Sequence, residues 1–242
     1  VSLRNALAHL TALRIPPRGR VPLVHSLHYF PWVGAAHGSI NVLVFVAVSR
    51  FLPAAIACAI AVLLPQALAG FGPWRGVIEA GQGLRTPPGT AYHRSVRVDL
   101  RGAAFVFGLT AFKWLCLMLM SADWRTRSAL VFPILGMTAH TWAFLRAAHF
   151  EPVRGPLLAR RRVRAGFLSA VALFLTFLFP VRVAVVILAA WGLAFWLTLR
   201  LRHPRTSPAQ GRDLTLQTAG VITEVAETVV LFAVVVAGLL LM

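Results

Sequence analysis

Leu68-Ala69-Gly70-Phe71-Gly72-Pro73-Trp74-Arg75-Gly76-Val77-Ile78-Glu79-Ala80-Gly81-Gln82-Gly83-Leu84 is the stretch on which the reading of this chain turns. It follows an apolar run and opens a basic loop carrying Arg85, Arg94, Arg97 and Arg101. Positions 75, 79 and 82 would share one face of a helical turn. Carboxylates at that spacing can hold a divalent cation against a phosphate. Here the three positions hold Arg75, Glu79 and Gln82, so one acid stands where three would be needed. A lone carboxylate beside Arg75 makes a poor metal site, because the guanidinium occupies it and repels the ion. The residues alone therefore predict a solvated interfacial loop with a local ion pair. Glu79 is a weak metal candidate, and a metal-free phosphate site built on Arg75 is the alternative.

Outside this stretch the chain is strongly apolar. Of its 242 residues 58% are hydrophobic and 13% are charged, with a mean hydropathy of +0.75. Together with apolar runs near 20 residues, that composition predicts an integral membrane protein rather than a soluble domain. The formal charge of +17 does not point to nucleic acid, because the Arg residues sit in short loops between the apolar runs. Cys58 and Cys116 lie inside such runs without zinc-ligand spacing, so neither a disulfide framework nor a zinc site is expected. Residues 1–20 show no apolar core followed by a cleavage site, so no signal peptide is expected.

The chain reads as one domain over 1–242. Leu3, Ala6, Leu7, Leu10 and Leu13 form a helical face, which predicts an amino-terminal interfacial helix. With the basic segment that runs through Pro16-Pro17 it occupies residues 1–20. A transmembrane bundle follows over 31–241. A crossing needs about 20 residues for about 30 Å of hydrocarbon. On that measure seven spans are expected, near 31–49, 52–71, 103–120, 129–147, 166–181, 183–199 and 219–241. The fifth and sixth could be one bent span, and charge decides between the two readings. With seven spans, 19 Arg residues fall on one face and four on the other. Merging the two would spoil that asymmetry. The bias predicts a bacterial-type inner membrane, the amino terminus cytoplasmic and the carboxy terminus outside.

Charges inside spans are costly and tend to be paired or functional. Lys113 lies about 15 Å into an inside-to-outside span, and Glu227 about 12 Å into another. Their depths allow a pair, with Glu224 one turn away on the same face. The simplest expectation is a buried ion pair that locks helix packing. A polar cavity or proton path is the functional alternative. His140, near Thr138 and Thr141, is expected to hydrogen-bond between helices rather than to bind a metal.

Several of these segments resemble the cobalamin synthase family. The stretch 68–84 resembles its signature, roughly His-x-Asp-Gly-x-x-Asp-x-x-Asp-Gly-Leu. Gly76, Gly83 and Leu84 fit; Pro73 replaces the His, and Arg75, Glu79 and Gln82 stand at the acids. Leu216–Glu227 resembles the family's Thr-Gly-Asp-x-x-Gly-Ala segment, with Gly220 and Glu227 matching and Gln217 at the Asp. Thr11-Ala12-Leu13-Arg14-Ile15-Pro16, Tyr29-Phe30-Pro31-Trp32-Val33-Gly34, Gly102 after Asp99 and Arg101, and Pro133-Ile134-Leu135-Gly136 add weaker matches. Met137 stands at a family Arg.

The resemblance implies an all-α, polytopic, cobalamin synthase-like fold. It also implies a Mg²⁺-dependent enzyme, adenosylcobinamide-GDP ribazoletransferase, which joins a GDP-activated corrinoid to ribazole and releases GMP. With most acids replaced, the expectation is a catalytically degenerate relative: a structural or accessory subunit of a membrane complex, whose partners are the lipid bilayer and other subunits. No cofactor is then expected. The alternative is the working transferase, with Mg²⁺. A small transporter is a further alternative, for which only the Lys113/Glu227 pair speaks.

Overall fold

The computed structural model describes residues 2–13, 26–83, 100–150, 156–200 and 216–241. Among them every regular element is helical. In chain order these are α1 (Ser2–Leu10), α2 (Phe30–Ser49), α3 (Ala54–Leu68), α4 (Gly72–Gly83) and α5 (Leu100–Leu119). Then come α6 (Ala122–Phe150), α7 (Pro156–Phe174), α8 (Val181–Arg200) and α9 (Leu216–Leu241). Short 3-10 turns at Leu27–Tyr29 and Leu175–Leu178 precede α2 and follow α7.

The last helix is the centre of the bundle. α9 packs against α4, α5, α6 and α8. Its apolar stretch is 61% buried, whereas that of α5 is 22% buried and presents Phe105, Phe107, Leu115 and Leu119 outward. A long apolar helix suits either environment, so apolarity alone does not distinguish a central helix from one facing lipid. Polar content does: α9 buries Thr223, Glu224, Glu227 and Thr228.

α2 and α6 form the other close pair. A Cβ on Gly34 would stand 2.6 Å from the Pro133 carbonyl oxygen, and one on Gly38 would collide with that of Leu130. Backbones approach this closely in membranes only through small residues, since lipid supplies no hydrophobic drive between helices.

Each expected span coincides with a helix, but length and apolarity qualify fewer as crossings. Among the described residues three helices are long and apolar enough, Leu27–Ser49, Leu100–Leu119 and Gly220–Leu240. The number is up to four if α3 and α4 count as one broken span. α6 starts with Asp123, Arg125 and Arg127, and α7 carries Arg160, Arg161, Arg162 and Arg164, which dilute otherwise apolar segments. The chain breaks between α7 and α8, where Phe179 is extended (φ −91°, ψ 161°) and is followed by Pro180.

Two expectations change. The expected span 52–71 ends early: α3 stops at Leu68 and the chain turns by 91° into α4. Gly70 (φ 62°) and Phe71 (φ 57°) are left-handed. Gly70 N–H bonds to Ala67 O (3.0 Å) and Phe71 N–H to Gln66 O (2.8 Å), closing the helix end as a Schellman motif does. The basic loop expected from residue 72 is instead a helix as far as Gly83, with Pro73 in its first turn, where no amide hydrogen is required.

At the amino terminus α1 turns Ala6 and Leu10 into a cluster with Leu27, Phe30, Val33 and Met137, while Leu3 and Leu13 of the same helical face stay exposed. Ala12 N–H also bonds to Leu68 O (2.7 Å), tying the end of α1 to the end of α3. The basic segments at 14–25, 84–99 and 201–215 lie outside the described residues.

Candidate functional site

The two signature-like stretches, far apart in sequence, meet where α4 crosses the first turns of α9. A Cβ on Gly220 would lie 2.7 Å from Pro73 Cα and 3.1 Å from the carbonyl oxygens of Gly72 and Pro73. Only a glycine lets α9 pass the start of α4 this closely. Pro73, Gly76 and Val77 are buried there, whereas Arg75 is exposed. Glu79, Gln82 and Gly83 follow on α4, and Gln217 lies one turn before Gly220 on α9. The side chains of Glu79, Gln82 and Gln217 lie outside the described structure. α5 also packs against α4, and its Gly102 is buried.

The donor set at this junction does not fit a resident Mg²⁺. Mg²⁺ wants six oxygens in near-ideal octahedral geometry and is usually held through carboxylates and substrate phosphates. Arg75 and Gln82 stand at two of the signature's three acids and Gln217 at the carboxy-terminal Asp, which leaves Glu79 as the one acid of the signature. Gln offers a neutral oxygen, and Arg offers none. What the junction presents to an anion is Arg75, a guanidinium at the exposed edge of α4.

A second polar cluster lies deeper along α9. Lys113 Nζ donates to Glu224 Oε2 and to Glu227 Oε2, each at 2.7 Å, and all three side chains are at most 10% exposed. Gln66 Nε2 donates to Glu224 Oε1, which joins α3 to the cluster. Thr223, between the junction and the cluster, approaches His140 Nδ1 at 3.3 Å. α6 reaches this part of α9 through Gly136, where a Cβ would meet Glu227 Oε1 at 2.6 Å and Thr223 Cγ2 at 2.7 Å. Met137, at the family's Arg position, is buried against Phe30 and Val33. The expected basic side chain is thus replaced by one that fills an apolar interface.

Sequence reasoning missed three members of this interior. Gln66, Asn41 and Ser128 are buried polar residues within or beside apolar runs, and Asn41 and Ser128 line a cavity of about 30 Å³ together with Lys113 and Glu227. Polarity inside an apolar run is the signal that singled out Lys113, and it holds for Asn41 and Gln66 as well. Cys58 and Cys116 are both free and buried.

Comparison with known proteins bears on the whole chain. No significant match was found among curated proteins or among solved structures. A family model does match: CobS, described as cobalamin-5-phosphate synthase, over residues 2–235. With nearly every residue covered, and with a helical membrane architecture around the matched glycines, the chain belongs to the CobS, cobalamin-5-phosphate synthase, family.

Proposed function

We propose that this chain is a cobalamin synthase-like membrane protein that has kept the family's helix arrangement and lost its metal chemistry. In this reading it serves as a structural or accessory subunit of an inner-membrane complex, with its amino terminus cytoplasmic and its carboxy terminus outside. The observation that carries the reading is the replacement of two signature acids by Arg75 and Gln82 and of the carboxy-terminal Asp by Gln217, with Glu79 the one acid left in the signature. Joining a GDP-activated corrinoid to ribazole loads charge onto phosphate oxygens in the transition state. The metal's main task is to neutralise that charge. Arg75 can offset part of it, but it cannot bridge a phosphate to a carboxylate cage.

A second reading is favoured by the extent of the family match, residues 2–235. In it the chain is an adenosylcobinamide-GDP ribazoletransferase, and Arg75 with the neighbouring Arg residues takes over phosphate neutralisation. One assay separates the two. Purified full-length chain in lipid nanodiscs is given adenosylcobinamide-GDP, ribazole phosphate and Mg²⁺, beside a family member with intact signature acids. The first reading expects no cobalamin-type product; turnover comparable to the intact enzyme establishes the second. A companion variant, Arg75→Asp with Gln82→Asp and Gln217→Asp, restores three acids. Mn²⁺ binding gained by that variant and absent before it supports a preserved geometry with lost ligands.

A further inference from the structure

The buried cluster on α9 has more acceptors than donors and one negative charge too many. Glu224 accepts at both oxygens, Oε1 from Gln66 Nε2 and Oε2 from Lys113 Nζ. Both bonds suit an ionised carboxylate. Glu227 accepts from Lys113 at Oε2, and no described donor bonds its Oε1. Asn41 Nδ2 donates to Ala61 O (3.0 Å) and Ala129 O (3.3 Å), which sets the amide orientation. Its Oδ1, on a residue 2% exposed, is then left without a donor, and so is Gln66 Oε1, on a residue 3% exposed. Asn41 and Glu227 line the same cavity of about 30 Å³. That is room for two or three waters, at roughly 10–15 Å³ for each.

One ammonium against two carboxylates leaves a net charge of −1 in the interior. Burying an uncompensated charge costs several kcal/mol, and a group so placed tends to neutralise instead. Among the described residues Lys113 is the one cation paired with Glu224 or Glu227. α2 brings Asn41 and, one turn away, His37; α3 brings Gln66 and, two turns away, Cys58; α5 brings Lys113 and Cys116. α6 brings Ser128, Arg125 beside Cys58 and, through Thr223, His140, while the one described basic side chain of α4, Arg75, is exposed. The buried residues described on α8, Val183, Ala184, Ile187 and Ala194, carry no charge.

We propose that the cluster is a one-proton site in the interior of the bundle: Glu227 carries the proton on Oε1, and cavity water relays its hydrogen bond to Asn41 Oδ1, while Lys113 and Glu224 stay ionised. The proton removes the excess charge and, with the water, supplies the donor that Asn41 lacks. The site takes a proton and water rather than a metal cation, because Lys113 Nζ already occupies the side from which Glu224 and Glu227 would both coordinate.

The test uses the full chain in nanodiscs and infrared difference spectra in H₂O and D₂O at neutral pH. The proposal expects the C=O stretch of a protonated carboxyl, lost in Glu227→Gln and shifted in Asn41→Leu. Glu227→Gln mimics the neutral state and should melt near the parent temperature, while Glu224→Gln should melt clearly lower. A spectrum without that band at neutral pH overturns the proposal. So does a band that survives Glu227→Gln, or one that arises only when Na⁺ is withdrawn, which would make the occupant a cation. A Glu227→Gln chain that fails to fold, or melts as low as Glu224→Gln, overturns it too.

Discussion

Replacing Lys113 by Met removes the one ammonium that serves both Glu224 and Glu227. Met has a similar length and flexibility, so the change isolates the charge and its hydrogen bonds rather than volume. Lys113 Nζ makes two contacts of 2.7 Å, from a side chain 5% exposed to partners 2% and 10% exposed. A hydrogen bond to a charged group contributes about 1.5–3 kcal/mol, so the two sum to about 3–6 kcal/mol. Proton uptake by a stranded carboxylate returns part of that. The expected net loss is about 3–5 kcal/mol, the usual cost of breaking a buried pair from one side. For a chain of this length that lowers Tm by roughly 6–20 °C. Thermal unfolding in one detergent, followed by the fraction that stays monodisperse, measures it. Arg50→Gln, at an exposed position beyond α2, is the control and should shift Tm little. The loss should persist in high salt, because buried pairs are weakly screened. Adding Glu224→Gln and Glu227→Gln to Lys113→Met should restore part of the stability, since no charge is then left buried. A Lys113→Met chain that unfolds within about 1 kcal/mol of the parent would refute the reasoning.

Three further predictions follow from close approaches and charge bias. Gly38→Ala puts a methyl group against the Leu130 carbonyl of α6 and should cost about 1–3 kcal/mol by overpacking, read by the same melts. Gly220→Ala meets Pro73 Cα at 2.7 Å and should loosen α4 from α9, raising hydrogen exchange over 72–78 while leaving α2 and α6 unchanged. Single cysteines at Ser95 and Ser207, in chains whose native cysteines are replaced, should resist an impermeant thiol reagent in intact cells; labelling of both would reverse the topology.

Much of the architecture was legible because a bilayer imposes it. Apolar runs had to become helices, since a backbone without water must satisfy its own hydrogen bonds. That reasoning placed a helix at each expected span, and the intramembrane charges marked the buried faces of α5 and α9. It did not reach the turn at Gly70-Phe71. The turn adds a second left-handed residue, Phe71, after the one at Gly70 that a Schellman end requires, and Phe71 gives no propensity signal for that conformation. The helix at 72–83 escaped for a related reason. Gly72, Gly76, Gly81 and Gly83 are poor helix formers in isolation. Docking on α9 at Gly220 and on α5 overrides that cost.

The candidate site divides in the same way. Which acids are missing from the signature is a property of the sequence, because it follows from residue identity at fixed spacing. So are the presence and depth of Lys113 and Glu227, since a charge among apolar neighbours is visible in one dimension. That Glu224 shares the lysine equally, that Gln66 from α3 holds its other oxygen, and that Asn41 opens onto the same cavity were decided by tertiary structure alone. Those partners come from separate helices, and α-helical periodicity relates only residues three or four apart on one helix. Which faces meet is set by where glycines let backbones close, at Gly34 and Gly38, at Gly136 and at Gly220. A glycine in a sequence does not say which helix will use it, because the contact belongs to the pair of surfaces and not to either strand of residues.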